Sequence, residues 1–155
     1  MRSLAEAAGE AAVLRLTPWR LLIVPAADGR HGQAILARAA EAELAVAPGD
    51  PRLDVEACTG SPGCANGTTR TRVDAARLAL LRLAPFDLGR AVHVSGCRKG
   101  CAYGGRARVT LIGRDGRYDI VLNGGVDDAP ARCGVAADQV EDQIAGLLAG
   151  ADRVR

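Results

Sequence analysis

Two pairs of cysteines constrain this chain more than any other sequence feature. Cys58 and Cys64 enclose Thr-Gly-Ser-Pro-Gly, while Cys97 and Cys101 enclose Arg-Lys-Gly. Each pair lies in a glycine-rich segment that follows a short apolar run typical of a β-strand. Because loops at strand ends commonly carry binding groups on a rigid sheet, the pattern predicts a cysteine site presented at strand ends.

The four cysteines suit an iron-sulfur cluster better than zinc. Four thiolates satisfy a 4Fe-4S cluster, and glycines let backbone N–H groups approach its sulfides. Arg98 and Lys99 would help to keep the neighbouring thiols ionised. Zinc sites usually space paired cysteines by two to four residues, which fits the second pair but not the first. A zinc-stapled module therefore remains an alternative.

Composition narrows the class of protein. The chain has 155 residues, of which 48% are hydrophobic, so a packed core is expected. The formal net charge of +2 points to no nucleic-acid partner. We find no apolar run long enough for a membrane span, and two glutamates interrupt the N-terminal segment where a signal peptide would be apolar. These features predict a cytoplasmic protein, in which cysteines serve as metal ligands more often than they form disulfides.

The periodicity of apolar residues mixes helices with strands and predicts an α/β or α+β domain. A bend at Thr17-Pro18 separates two short strand pieces, with Trp19 expected to pack beside it. Val73 and Leu80 are expected on one face of the second main helix. The predicted helices cover 31–46, 68–83 and 136–148, the strands 53–57, 91–94, 108–112 and 117–122, and residues 123–134 are expected to form a loop.

The cysteine motifs resemble those of the nitrite and sulfite reductase haem-protein family. The resemblance rests on CTGSPGC followed by VSGCRKGC, and it extends from about Leu14 to Leu148. LTPWR near the start is similar to the opening strand of the family's second ferredoxin-like repeat. RVTLIGRDGRYDIVLNGG is similar to the hairpin after the second cysteine pair.

The resemblance implies an α+β fold and a cofactor. Residues 1–53 would form a partial ferredoxin-like repeat, and residues 54–155 a 4Fe-4S cluster-binding domain with a mixed sheet and helices. Cys58, Cys64, Cys97 and Cys101 would hold the cluster, with Cys101 nearest the macrocycle in family members that bridge it to sirohaem. The first repeat of the family's pseudo-symmetric pair has no counterpart in this sequence. The chain would then be either a fragment of a longer protein or the product of a split gene, whose partner chain would supply that repeat.

Within the family, the motifs are most similar to those of the oxygen-dependent branch of aerobic cobalamin synthesis. That branch hydroxylates the tetrapyrrole precorrin-3A and forms a lactone, using molecular oxygen and an electron donor. Lys99 stands where the reductases usually have Asn, and Arg108 where their signature expects an acidic residue. Lys99 counts against a sirohaem reductase, and Arg108 places the sequence away from the assimilatory reductases. The alternatives are a sirohaem-dependent sulfite or nitrite reductase fragment and a non-enzymatic zinc or electron-transfer module.

Basic residues near the cysteines suit a substrate ringed by carboxylates, because arginine binds carboxylates in a bidentate manner. The candidate tetrapyrrole-binding residues are Arg20, Arg70, Arg98, Lys99 and Arg106. No catalytic residue is identified from the sequence. Cys133 is expected to be a free thiol, and His93 a packed or hydrogen-bonded strand residue.

Overall fold

The computed structural model describes residues 2–9, 13–84 and 90–152. The chain divides into two compact units, Met1–Asp50 and Pro51–Arg155, each of which is described by itself. The described residues contain four α-helices and seven strands, and the strands form a two-stranded and a five-stranded sheet. This architecture confirms the expected α+β class.

The first unit is small and has a correspondingly small core. It consists of helix α1 (Arg2–Ala8), the antiparallel strands β1 (Arg15–Leu16) and β2 (Leu22–Ile23), and helix α2 (Gly29–Glu41). Helix α2 begins after Asp28, whose carboxylate accepts a hydrogen bond from the His31 backbone N–H at 2.8 Å. That contact satisfies a helix-terminal donor that has no partner inside the helix.

The apolar residues of this unit are only partly buried. Leu4, Ile35 and Ala39 form its buried cluster. Trp19, expected to pack beside the strand bend, is instead 77% exposed. The bend is a tight turn closed by the hydrogen bond from the Arg20 N–H to the Thr17 carbonyl, so the chain around Trp19 has little surface to pack against.

The second unit is built around a mixed sheet in the order β3-β4-β5-β6-β7. Strands β3, β4 and β5 are parallel neighbours, whereas β5, β6 and β7 pair antiparallel. The strands cover Val55–Ala57, Arg90–Ser95, Ala107–Arg114, Arg117–Gly124 and Arg132–Val135. Helix α3 spans Thr71–Ala79 and helix α4 spans Val140–Asp152.

One face of this sheet is the main hydrophobic core. Its buried cluster joins valines, leucines and isoleucines of β4, β5 and β6 to Leu78 of α3 and Ile144 of α4. Tyr118 is fully buried in it and donates a hydrogen bond to the Asp74 carboxylate of α3 at 2.6 Å. Burial raises the pKa of Tyr118 far above its usual range, and the hydrogen bond to Asp74 raises it further. Tyr118 therefore remains a neutral donor.

The opposite face of the central strands is buried but polar. Successive residues of a strand point to opposite faces, so His93 and Ser95 lie on the face opposite to the core residues Val92 and Val94. His93 lies beside Glu56 of β3 and Thr110 of β5 in the strand register, and all three are buried. Glu56 forms an ion pair with Arg90 at 3.1 Å. Buried polar groups are costly unless hydrogen-bonded, so this face requires a separate explanation.

Two expectations about secondary structure are wrong in detail. The sequence predicts a loop over residues 123–134, but Arg132–Val135 forms β7 at the edge of the sheet. The strand is short and bulged, and it contains Gly134 at φ +65°. Its sequence also lacks the alternation of apolar and polar residues by which strands are predicted. Helix α3 is shorter than expected, and Val73 and Leu80 are exposed rather than packed.

No helix in the described parts of the chain combines the length and the apolar character that crossing a membrane requires.

Candidate functional site

Both cysteine pairs leave the sheet at the same edge. Strand β3 ends at Ala57, which lies opposite Val94 of the parallel strand β4. Cys58 therefore begins one connection and Gly96-Cys97 the next, side by side. We call residues 58–70 the first cysteine loop and residues 96–106 the second cysteine loop. The carboxyl ends of adjacent parallel strands are a usual place for binding sites in such sheets.

The two cysteine loops are joined by hydrogen bonds that involve Gly96. The Gly96 backbone N–H donates to the Cys58 Sγ at 3.2 Å. The Gly96 carbonyl accepts from the Thr68 N–H at 3.1 Å. A backbone donor from one loop thus stabilises negative charge on a thiol of the other, which is the arrangement that tunes cysteine-bound clusters.

Three glycines allow the loops to touch. A Cβ at Gly96 would lie 3.2 Å from the Gly67 Cα and 3.3 Å from the Gly60 Cα. A Cβ at Gly67 would lie 2.9 Å from the Gly60 Cα, while Gly60 itself is held at φ +62° against Thr71. Larger side chains at these positions would separate the loops, because packed backbones do not yield by such distances without cost.

The start of helix α3 contacts Cys58. The Thr71 hydroxyl donates to the Cys58 carbonyl at 2.7 Å, and the Cys58 Sγ lies 3.9 Å from the Thr71 oxygen. Thr71 is the first residue of α3. The N-terminus of α3 therefore lies beside Cys58.

The four thiols are present as free cysteines, with Cys58, Cys64 and Cys97 half-buried and Cys101 exposed. Among the described residues, as placed, no group of three or more His, Cys, Asp or Glu side chains could hold a metal ion. The chemistry of the donors nevertheless fits a cluster, because the loops supply four thiols and a backbone donor at one sulfur. The ligand assignment to these four cysteines stays a prediction.

The second cysteine loop is attached to the polar face of β4 at two points. The Ser95 hydroxyl donates to the Cys97 carbonyl at 2.7 Å. The His93 ring meets the Tyr103 ring edge to face, with centroids 5.9 Å apart and planes at 83°. The expectation that His93 is packed inside a strand is confirmed. Its contact with Tyr103 links positions 93 and 103, and no pattern in the sequence reveals it.

The predicted tetrapyrrole-binding residues are distributed over both units. Arg70, Arg98 and Lys99 are exposed on the two cysteine loops. Arg106 forms an ion pair with Asp128 at 3.5 Å and donates to the Asn123 carbonyl at 2.7 Å. Arg20 belongs to the first unit, where it occupies the turn between β1 and β2 with φ at 59°. No observation of the structure tests carboxylate binding by any of them.

Comparisons with known proteins agree with this geometry. The chain is 32% identical over 118 residues to a precorrin-3B synthase from Sinorhizobium sp, a match that covers 76% of this chain and 26% of that protein. It superposes on the structure of the Mycobacterium tuberculosis NirA protein with a TM-score of 0.65 and 22% identity, over 92% of this chain and 30% of that one. No family model matches the chain.

The superposition shows that the chain shares the fold of the corresponding part of the NirA protein. In sequence, this chain is similar to precorrin-3B synthase. It spans about a quarter of the length of the curated relative that it matches. The activity, substrate and partners of such a complete protein therefore belong to the proposal that follows.

Proposed function

We propose that this chain is the cluster-binding part of a precorrin-3B synthase-like oxidoreductase, and that Cys58, Cys64, Cys97 and Cys101 hold one 4Fe-4S cluster. The observation that carries the proposal is the meeting of the two cysteine loops at the ends of β3 and β4, with the Gly96 N–H directed at the Cys58 Sγ. The similarity to precorrin-3B synthase supports the same reading.

The residues of the chain have distinct roles in this proposal. A bound 4Fe-4S cluster supplies single electrons at a potential set by its surroundings. The Gly96 N–H stabilises the negative charge of the Cys58 thiolate. Gly60, Gly67 and Gly96 keep the backbones of the loops in contact.

The exposed cations next to the cysteines would orient an anionic substrate. Arg98 and Lys99 lie between two ligands, and Arg70 precedes α3. A carboxylate-rich tetrapyrrole such as precorrin-3A fits this charge, since arginine binds carboxylates in bidentate fashion. Hydroxylation of that substrate with lactone formation would also require molecular oxygen and an electron donor. Arg106 is a weaker candidate, because Asp128 already neutralises it.

The decisive experiment is anaerobic purification followed by determination of iron, zinc and acid-labile sulfide, with a visible spectrum of the same sample. The proposal expects about four irons and four sulfides per chain and a broad brown absorption. Stoichiometric zinc without sulfide would instead identify a structural module that is stabilised by zinc. Copurified sirohaem bands would shift the assignment toward a sulfite or nitrite reductase fragment.

The chain contains its own control for the ligand assignment. Single Cys→Ser changes at positions 58, 64, 97 and 101 should each reduce bound iron and sulfide severely, because a hydroxyl is a poor ligand for this cluster. Cys133→Ser should retain both iron and sulfide, because Cys133 lies in β7 and belongs to neither cysteine loop. Equal iron content in all five variants would refute the ligand set.

A further inference from the structure

The polar face of β4 contains an energetic anomaly. His93 is fully buried, and neither of its ring nitrogens has a hydrogen-bond partner among the described residues. Burial lowers its pKa to about 4, so the ring is neutral at neutral pH and has one N–H donor and one acceptor to satisfy. Leaving such groups unpaired is expensive, and native proteins rarely do so without a reason.

The neighbouring buried polar groups do not share this defect. Thr110, the register partner of His93 on β5, donates its hydroxyl proton to the Gly124 carbonyl at 2.7 Å. Ser95, two residues along the same face, donates to the Cys97 carbonyl. Glu56 on the other side is paired with Arg90. Thr110, Ser95 and Glu56 thus have partners where His93 has none, and in the described sheet the Asn123 side-chain oxygen is the other unpaired buried polar atom.

The His93 ring lies next to the second cysteine loop. Ser95 holds the Cys97 end of the second cysteine loop, and His93 holds the other end through Tyr103, two residues beyond Cys101. Tyr103 folds back over the same loop: a Cβ at Gly105 would lie 2.6 Å from the Tyr103 hydroxyl oxygen. One face of β4 thus anchors the loop on both sides of its cysteine pair.

We infer that His93 is a positioning residue for the second cysteine loop, and that one of its ring nitrogens acquires a hydrogen bond to this loop only when the cluster is bound. The inference rests on the proposed cluster. With no exposed surface, His93 can be reached only by groups inside the protein, and the adjoining loop is the element that ligand binding would rearrange. A residue kept buried and unpaired at a cost in stability is a mark of function.

The test compares variants that separate the effect of the aromatic ring of His93 from the effect of its two nitrogens. His93→Phe keeps an aromatic ring against Tyr103 but removes both nitrogens. His93→Gln restores one amide donor and acceptor and serves as the conservative variant. Thr110→Val is the matched control, because it removes a buried polar group that already has its partner away from the loop.

Each full-length variant is reconstituted with iron and sulfide, and three quantities are measured. These are the unfolding midpoint of the cluster-free protein, the rate of iron loss to a chelator, and the midpoint potential of the cluster. For His93→Phe we expect an unfolding midpoint no lower than that of the wild type, iron loss about tenfold faster, and a shifted potential. His93→Gln should recover part of both cluster properties. Thr110→Val should lose unfolding stability while its iron loss follows the wild type.

The outcomes distinguish this inference from the proposed function. A wild-type chain that takes up no iron and sulfide overturns both. A wild-type cluster with unchanged iron loss and potential in His93→Phe overturns the role of His93 and leaves the cluster proposal intact. Faster iron loss accompanied by an equal fall in cluster-free stability would show a merely structural histidine, which also overturns the inference. If His93→Phe fails to fold, the same comparison is made with His93→Leu, which also removes both nitrogens and for which unchanged iron loss and potential overturn the inference.

Discussion

At the scale of single residues, His93 and Gly96 show how closely stability and the candidate site are connected. Gly96 is small because two other glycines occupy the space where its side chain would be. His93 is polar although its surroundings give its nitrogens no partner among the residues described. Both residue types suit a loop that approaches the proposed cluster, and neither residue improves the packing of the hydrophobic core.

The buried His93 should make the protein acid-sensitive. Its pKa is lowered to about 4 in the folded state, against 6.5 for an unperturbed histidine, so the unfolded chain binds a proton first as the pH falls. Stability is complete above pH 6.5 and decreases between about pH 6.5 and 4, by about 3 kcal/mol at most. Urea unfolding of the cluster-free protein at a series of pH values measures this decrease. His93→Phe should show a smaller decrease over that window, and an identical pH profile would contradict the assignment to His93.

Enlarging Gly96 should damage the site more than the fold. Gly96→Ala places a methyl group 3.2 Å from the Gly67 Cα, so the two cysteine loops must separate, at about 1–3 kcal/mol. We expect reduced iron retention together with a modest loss of unfolding free energy. Gly146→Ala is the control, because that position in α4 is open and alanine there should stabilise the helix by about 0.5–1 kcal/mol. Unimpaired iron retention in Gly96→Ala would show that close contact of the loops is not needed.

At the scale of secondary-structure elements, local patterns are informative and long-range contacts are not visible in the sequence. Strand β4 and the β5–β6 hairpin can be predicted because their apolar runs and the Asp115-Gly116 turn are local signals. The placement of the cysteine pairs directly after strands can be predicted for the same reason. Strand β7 cannot, because its exposed, bulged sequence pairs only through its position beside β6.

Helix α3 shows why a correct helix can have the wrong buried face. Val73 and Leu80 are apolar at helical spacing, yet they are 47% and 77% exposed. The buried face instead includes Asp74 and Leu78, because Asp74 accepts a hydrogen bond from Tyr118 in the core. A buried aspartate is not visible to apolar periodicity, so the packing of this helix depends on a partner 44 residues away in sequence.

Paired substitutions in α3 test this orientation. Leu78→Ala should destabilise the protein by about 2–5 kcal/mol, because it opens a cavity beside β4. Leu80→Ala should change the unfolding free energy by less than about 0.5 kcal/mol, since its side chain is exposed. Denaturant titration of both variants provides the comparison. Similar losses in the two variants would mean that α3 is rotated relative to this description.

At the scale of the whole molecule, the two units differ in how completely they bury apolar side chains. The second unit has a continuous core across its sheet and helices. The first unit leaves several large apolar side chains in contact with solvent, among them Leu16, Trp19 and Ile23. Exposed apolar groups of this kind commonly mark surfaces that another protein segment covers.

The chain alone should therefore associate in solution. Leu16 and Trp19 are 78% and 77% exposed, and burying them between copies of the chain would remove apolar area from water and so favour association. Sedimentation velocity over a range of concentrations measures the self-association. The double variant Leu16→Lys/Trp19→Lys should shift the chain toward monomer. A wild-type chain that stays monomeric at the highest concentration would contradict the expectation.

The parallel pairing of β3 and β4 also has a consequence for the order in which the protein is made. Cys58 and Cys64 leave the ribosome roughly 30 to 40 residues before Cys97, which corresponds to a few seconds at typical rates of synthesis. During that interval the first two thiols have neither the Gly96 donor nor the neighbouring strand. The nascent chain thus passes through a stage in which only two of the four thiols have been made. Loading of the proposed cluster would therefore have to follow translation of β4 and its loop.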